Sequence, residues 1–133
     1  MRVSEVMQTN LKVIGAADLV GDAVALLADN HVSGLPVVDA EGRLVGVLSN
    51  SDILQALAEH TDPVERERVF EQTEVRELMT PRPQTINPDA NLRDAAQRML
   101  YLEVHRLFVE KDGKLAGVVS TTDLVRTMAG MKV

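Results

Sequence analysis

The residue types best suited to chemistry occur twice in this chain, in the same order. Each copy is a glycine, two apolar residues, a hydroxyl residue and, three positions further on, an aspartate. The copies lie 71 residues apart, and they are Gly46-Val47-Leu48-Ser49-Asn50-Ser51-Asp52 and Gly117-Val118-Val119-Ser120-Thr121-Thr122-Asp123. The repetition predicts two equivalent polar sites, one in each half of the chain.

The chemistry of these sites is that of a carboxylate beside hydroxyl groups. Because the carboxylates of Asp52 and Asp123 only accept hydrogen bonds, they suit a vicinal diol, such as that of a ribose, which offers two O–H donors. The hydroxyl residues stand where a helix is predicted to begin, and the free backbone N–H groups there favour an anionic group. These residues are Ser49, Ser51, Ser120 and Thr122.

The same motif also has a structural interpretation. A serine three residues before an acid, ahead of an apolar run, is typical of a capping box at a helix start. Gly46 and Gly117 lack a Cβ, which lets either another backbone or a planar base come close. The same atoms could cap the helix when no ligand is bound and contact a ligand when one is bound, so both interpretations stay open.

The repetition covers most of the chain. A shift of 72 residues pairs Met7 with Met79 and Leu35 with Leu107, and removing one residue near Asp39 changes the shift to 71. A surface turn tolerates such a deletion, whereas the same deletion within a strand would turn the core face of that strand outward. Each half alone would be marginally stable, so we expect the two halves of the 133-residue chain to share a core of Val, Leu, Ile, Ala and Met.

Each half is predicted to run strand, helix, strand, strand, helix. Apolar residues at helical spacing begin at Val20 and at Leu92, with Asp18 as the expected cap of the first helix and Asn87-Pro88-Asp89 as the start signal of the second. Gly-containing turns join the two later strands of each half. The predicted strands are 12–14, 35–38, 44–48, 84–86, 107–109 and 115–119, and the closing helices are 53–59 and 124–129.

Composition excludes several classes of protein. The chain has no cysteine, and 14 basic against 20 acidic residues give a net charge of −6, which argues against nucleic acid as a partner. No apolar run approaches the ~18 residues of a membrane span, and no apolar leader segment opens the chain, so we expect a cytoplasmic protein without a membrane partner. Catalytic motifs and metal-ligand spacings are absent from the sequence, and we expect no enzyme activity, metal or required cofactor.

The order of these motifs resembles a CBS domain, twice. The second half carries Val75-Arg76-Glu77-Leu78-Met79-Thr80-Pro81, then Thr85-Ile86-Asn87-Pro88-Asp89-Ala90, then the stretch from Gly117 to Leu124. The first half is similar in Val3-Ser4-Glu5-Val6-Met7, in Val32-Ser33-Gly34-Leu35-Pro36-Val37-Val38-Asp39 and in its own Gly-to-Asp stretch. The resemblance spans essentially the whole chain.

This resemblance implies an α+β tandem CBS pair, or Bateman module, with two pseudo-symmetric β-α-β-β-α units. The repeats would be residues 1–57 and 75–133, joined by a linker over 58–74, whose mixed charges predict a solvated segment that is partly helical after Pro63. In that family, clefts between the repeats bind adenosine-containing ligands such as AMP, ADP, ATP or S-adenosylmethionine. A stand-alone pair is expected to form a homodimer and to regulate a partner protein that the sequence does not name.

The resemblance also distributes residues between two clefts. His105-Arg106-Leu107 looks like the phosphate-contacting stretch of AMP-sensing γ subunits, which predicts a phosphorylated adenosine beside Asp52 and an empty site, or a ligand without anionic phosphates, beside Asp123. Cleft 1 would comprise Ser49, Ser51, Asp52, Val104, His105 and Arg106. Cleft 2 would comprise Ser120, Thr122, Asp123, Val32, Ser33 and Gly34. The apolar walls for a base would be Val32, Val104, Leu48 and Val119.

Two other functions stay open from the sequence. The module could bind S-adenosylmethionine or NAD(H) instead of an adenine nucleotide. It could also be an assembly module without a small-molecule ligand, because its helices carry apolar residues suited to contact with a second copy. Those residues are Leu54, Leu57, Leu100, Leu102, Val125 and Met128.

Overall fold

A computed structural model describes residues 1–130 and divides them between two compact units. We call Lys12–Pro83 the Asp52 unit, and Met1–Leu11 with residues 84–130 the Asp123 unit. Each sequence repeat thus gives its opening segment to the unit built around the other repeat. Residues 131–133, the end of the second predicted repeat, lie outside the described residues.

The Asp52 unit is a four-stranded sheet with helices. The strands are β1 (Ile14–Gly15), β2 (Gly34–Val38), β3 (Leu44–Ser49) and β4 (Thr80–Pro81), and the helices are α1 (Val20–Asp29), α2 (Asn50–Ala58), α3 (Pro63–Gln72) and α4 (Val75–Leu78). The strand order is β1-β2-β3-β4, with β1 parallel to β2 and the other neighbours antiparallel.

The Asp123 unit repeats this arrangement after a short 3₁₀ turn at Val3–Glu5. The elements are β5 (Thr85–Ile86), α5 (Leu92–Leu102), β6 (Arg106–Lys111), β7 (Lys114–Ser120) and α6 (Thr121–Met128), which confirms the predicted α+β pair of β-α-β-β-α units. The sheet has the order β5-β6-β7, again with a parallel first pair and an antiparallel second pair. Gln8 forms an isolated antiparallel bridge with Val118, the counterpart of β4 in the other unit.

Each unit has its own aliphatic core, so the expectation of one core shared by the two halves is wrong. Each core does take a residue from the opening segment of the other repeat, Val75 in one and Val3 in the other. In β3, burial alternates along the strand, so Leu44 and Leu48 point into the core. The core of the Asp52 unit also contains Leu35 and Val37 from β2. The corresponding core of the Asp123 unit is built from Val3, Leu92, Ala95, Met99, Leu107, Val109, Val119 and Leu124.

The one-residue deletion lies in the hairpin turn, as predicted. In the first hairpin, one carboxylate oxygen of Asp39 accepts from the backbone N–H groups of Glu41 and Arg43, both at 2.9 Å. In the second, Asp112 and Gly113 have φ of 54° and 81°, the left-handed values that a tight two-residue turn requires. The shorter turn changes the repeat offset without moving the core face of either strand.

The predicted cap of α1 is wrong, and the cap of α5 lies just after its predicted start signal. The N-cap of α1 is Leu19, and Asp18 instead accepts a 2.8 Å hydrogen bond from the Gly15 N–H, because its side chain closes the turn that precedes the helix. The cap of α5 is Asn91, which accepts from the Asp94 N–H at 2.8 Å. Asn87, which lies four residues before Asn91, accepts a 2.8 Å hydrogen bond from the Asp89 N–H and so closes a local turn ahead of the helix.

The segment predicted as a solvated linker is in part a packed helix. Helix α3 begins at Pro63, as predicted, and its Val69 is 6% exposed in the core of the Asp52 unit. A Cβ on Gly21 of α1 would lie 2.9 Å from the Phe70 carbonyl oxygen, so the glycine permits close helix contact. The linker therefore contributes to the stability of one unit. Within residues 1–130, no helix combines the length and hydropathy of a membrane span.

Candidate ligand-binding site

Asp52 is oriented by the helix that it begins. The Ser49 N–H donates to Oδ2 of Asp52 at 2.9 Å, and the Asp52 N–H donates to Ser49 Oγ at 3.2 Å. These reciprocal bonds form a capping box at the start of α2. The other carboxylate oxygen, Oδ1, accepts the Thr80 hydroxyl at 3.1 Å.

Asp123 has the same setting in the other unit. The Ser120 N–H donates to its Oδ2 at 2.9 Å and the Asp123 N–H donates to Ser120 Oγ at 3.1 Å, which caps α6. Its Oδ1 accepts from the Gln8 side-chain amide at 3.3 Å. Asp123 is 3% exposed, the one charged side chain buried among residues 1–130, whereas Asp52 is half-buried.

The capping interpretation is therefore confirmed at both motifs. It is compatible with the interpretation that the same residues contact a ligand. A carboxylate oxygen accepts about two hydrogen bonds, and Oδ1 of each acid receives one side-chain donor within its unit. One acceptor position on Oδ1 remains for a ligand hydroxyl. The cap holds the carboxylate in a fixed orientation for such a contact.

The glycines of the motif accommodate backbone and not a base. A Cβ on Gly46 would lie 2.9 Å from the Thr80 carbonyl oxygen and 2.6 Å from Met79 Sδ. A Cβ on Gly117 would lie 2.7 Å from the carbonyl oxygen of Gln8. Of the two possibilities that the sequence left open, the structure realises the approach of another backbone.

The other predicted residues lie beside the motif of their own unit. The Ser33 carbonyl accepts from the N–H that opens α2, and the His105 carbonyl accepts from the N–H that opens α6, both at 2.9 Å. Gly34 pairs with Ser49, and Arg106 pairs with Ser120. Ser33, Ser51, Thr122, His105 and Arg106 are exposed, and Val32, Gly34 and Val104 are half-buried.

The predicted grouping of Asp52 with His105 and Arg106 joins residues of different units and stays a prediction, as does that of Asp123 with Ser33. Leu48 and Val119 are both 0% exposed, so their predicted role as walls for a base is wrong. Their side chains point into the core because they alternate with outward-facing neighbours on β3 and β7.

A separate apolar groove lies between α5 and α6 of the Asp123 unit. Its volume is about 680 Å³. Two of the predicted site residues, Val104 and His105, line it, while neither acid does. The remaining lining residues are Ala96, Met99, Leu100, Glu103, Thr121, Leu124, Val125 and Met128. The part of the chain that the structure describes has no group of three acidic or histidine residues placed to hold a metal ion.

Gln8 and Thr80 are site residues that the motif reasoning missed. They are equivalent under the 72-residue shift, directly after the paired Met7 and Met79. That equivalence was visible in the sequence. Their contacts with the acids were not, because each lies on an opening segment that packs into the unit of the other repeat.

Comparison with known proteins identifies the family. The family model of the CBS domain matches residues 3–59 and 75–130. The chain belongs to the CBS domain family. This confirms the resemblance drawn from the motifs, and it places both aspartates within matched CBS segments.

Two curated relatives illustrate the range of this CBS pair's similarity. The chloroplastic CBS domain-containing protein CBSX2 of Arabidopsis thaliana is 33% identical over 144 aligned residues, which cover 92% of this chain and 60% of that protein. The uncharacterized protein MJ1426 of Methanocaldococcus jannaschii is 28% identical, over 96% of this chain and 91% of the relative.

Solved structures show the same fold. CBSX2 in complex with AMP superimposes with a TM-score of 0.79 at 34% identity, covering 97% of this chain and 96% of that one. The CBS domain pair of protein MJ0100, solved with 5′-methylthioadenosine and S-adenosyl-L-methionine, gives a TM-score of 0.75 at 23% identity over 99% and 98% of the two chains. The second likeness is one of fold alone.

Proposed function

We propose that this CBS pair is a regulatory module that binds an adenosine-containing ligand, with a hydroxyl of the ribose diol donating to the open acceptor position of Asp52. The observation that carries the proposal is the capped, half-buried Asp52, whose Oδ1 keeps an acceptor position. The AMP complex of CBSX2, which is 34% identical, supports the class of ligand. Asp123 is the equivalent carboxylate of the second unit, where it is 3% exposed.

We further propose that the Asp52 site prefers a phosphorylated adenosine, with His105 and Arg106 as its phosphate contacts. Arg106 is exposed, and within residues 1–130 its guanidinium is in no ion pair. An arginine presents a planar fork of N–H donors that matches phosphate oxygens. A nucleotide would therefore gain a charge-assisted contact that adenosine would not.

A thermal-shift panel with AMP, ADP, ATP, NADH and S-adenosylmethionine tests both statements. A ligand at 100 times its dissociation constant adds about 2.7 kcal/mol to the free energy of unfolding, a shift of several degrees for a domain of this size. Arg106→Ala should weaken AMP binding, and Asp52→Asn should weaken it by removing the charge that faces the diol. The matched control is Arg93→Ala, an exposed arginine on α5 outside the predicted site.

The panel separates the alternatives. A larger shift with S-adenosylmethionine or NADH than with any adenine nucleotide would replace the proposed ligand class by one of these. AMP binding that survives Arg106→Ala and is lost in Asp123→Ala would contradict the assignment of sites. No shift with any ligand would contradict the sensor function itself.

A second candidate function is assembly, with a second copy of the chain as the partner. It is favoured by exposed apolar side chains on α5 and α6, where Leu100 is 79% exposed and Val125 is 65% exposed. Leu54 of α2, equivalent to Val125, is 67% exposed, so both units present the same feature. Leu100 and Val125 line one apolar groove, and exposed apolar surface of this kind marks interaction sites.

Sedimentation tests the homodimer. Leu100→Glu should shift the population to monomer, whereas Arg93→Glu on the same helix should leave it unchanged. A wild-type chain that stays monomeric at high micromolar concentration would contradict assembly through this surface. Repeating the run with AMP shows whether ligand changes the assembly and so offers a regulatory output.

A further inference from the structure

Equivalent positions of the two repeats carry different side chains beside the two acids. Thr80 and Gln8 occupy the same position of the repeat, and each directs its side chain to Oδ1 of the acid in its unit. Their backbones are held alike, since Thr80 pairs with Val47 and Gln8 with Val118. The difference between the two contacts therefore lies in the side chains themselves.

The chemistry of these side chains bears on ligand access. The Thr80 hydroxyl is one atom that both donates and accepts, and it can rotate to share Oδ1 of Asp52 with a second donor. Gln8 brings a planar amide on a longer side chain, and its Nε2 lies 3.3 Å from Oδ1 of Asp123. An incoming hydroxyl would have to approach that oxygen past a larger group that has two N–H donors and no rotatable hydrogen.

The exposure of the acids follows the same division. Asp52 is half-buried, whereas Asp123 is 3% exposed. Both acids share the two reciprocal capping bonds, with Oδ2 at 2.9 Å from the serine nitrogen in each. The Ser49 hydroxyl makes a further 3.0 Å bond to Oδ2 of Asp52, the more exposed acid, so the cap does not account for the lower exposure of Asp123.

We propose that the side chain at the equivalent positions 8 and 80 determines which site a ribose can enter. Gln8 closes the Asp123 site, and Thr80 leaves the Asp52 site open. This proposal rests on the proposed function and adds to it the reason why the two sites differ in their access to a ribose. One ligand per chain then binds at Asp52. Exchanging the two side chains should exchange the properties of the two sites.

Calorimetric titration of the full chain tests this by stoichiometry, with AMP and with adenosine as probes. The wild type should bind one ligand per chain. Gln8→Thr should bind two, with the second site more evident for adenosine, and Thr80→Gln should weaken the Asp52 site about tenfold or more, the range of a lost hydrogen bond to a charged group. Because the Gln8 side chain is exposed and its bridge to Val118 uses backbone atoms, we expect Gln8→Thr to fold.

Gln8→Ala provides a second opened variant should the threonine variant unfold, and Asp123→Asn in the Gln8→Thr background should remove the added site. Two equal sites in the wild type, or a single site in both opened variants, would overturn the role of residue 8 while leaving ligand binding intact. Absence of any binding in the wild type and in the opened variants would instead overturn the proposed function, and the role of residue 8 with it.

Discussion

Oδ2 of Asp123 accepts the backbone N–H of Ser120 at 2.9 Å, while the Asp123 N–H donates to Ser120 Oγ at 3.1 Å. Ser49 and Asp52 repeat this reciprocal pair with bonds of 2.9 and 3.2 Å. The helix start thus fixes the orientation of each carboxylate before any ligand arrives. Groups held in this way lose less conformational freedom on binding.

Removing a cap should reduce stability without unfolding the chain. Ser120→Ala and Ser49→Ala each delete the oxygen that accepts the aspartate N–H, and we expect each to lower the free energy of unfolding by about 1 kcal/mol. Urea denaturation followed by circular dichroism measures this. Ser51→Ala is the matched control, because Ser51 is exposed and takes no part in the capping box. An equal loss in the control would contradict the structural role of the cap.

The glycines of the motif should not tolerate a methyl group. A Cβ at Gly46 or Gly117 would meet a backbone carbonyl oxygen at 2.9 or 2.7 Å, so we expect alanine at either position to cost roughly 1–3 kcal/mol of stability. At Gly34 the nearest atom to a new Cβ is 3.5 Å away, an ordinary contact, so Gly34→Ala is the control. Thermal unfolding of the three variants distinguishes the positions. Equal melting temperatures for all three would show that the opening segments do not pack as described.

The helix of the predicted linker should contribute to the stability of the Asp52 unit. Val69 is 6% exposed, and Val69→Ala is expected to lower the free energy of unfolding by about 2 kcal/mol through lost apolar burial and a residual cavity. Val64 lies on the same helix and is 54% exposed, so Val64→Ala should change stability by less than about 0.5 kcal/mol. Equal effects at the two valines, measured by urea denaturation, would indicate a helix that does not dock.

The sequence was sufficient to predict the features set by local pattern and repetition. Apolar spacing predicted α1 and α5, the Gly-containing turns predicted both hairpins, and the Ser-to-Asp spacing predicted the caps at Ser49 and Ser120. The cap assigned to Asp18 from its place ahead of the helix failed, because its carboxylate accepts from the Gly15 N–H in the preceding turn and the N-cap residue, Leu19, makes no side-chain cap bond.

Features that depend on tertiary packing were not visible in the sequence. The partner of Gly46 and Gly117 is the backbone of an opening segment, and no local signal shows that this segment packs into the unit of the other repeat. The burial of Val69 and the contact of Gln8 with Asp123 have the same origin. Each requires knowledge of which distant segments meet, which a single sequence with strong internal symmetry leaves undetermined.

The most direct test of ribose recognition by Asp52 is a calorimetric cycle that combines AMP or 2′-deoxy-AMP with the wild type or Asp52→Asn. Removing the 2′-hydroxyl deletes one donor of the diol, so we predict a marked loss of affinity for the wild type and little further loss for the variant, because its acceptor is already impaired. Glu77→Gln, which alters the capping box of α4 only, should keep the wild-type difference between the two ligands. An equal loss of affinity for 2′-deoxy-AMP relative to AMP in the wild type and in Asp52→Asn would contradict ribose recognition by Asp52.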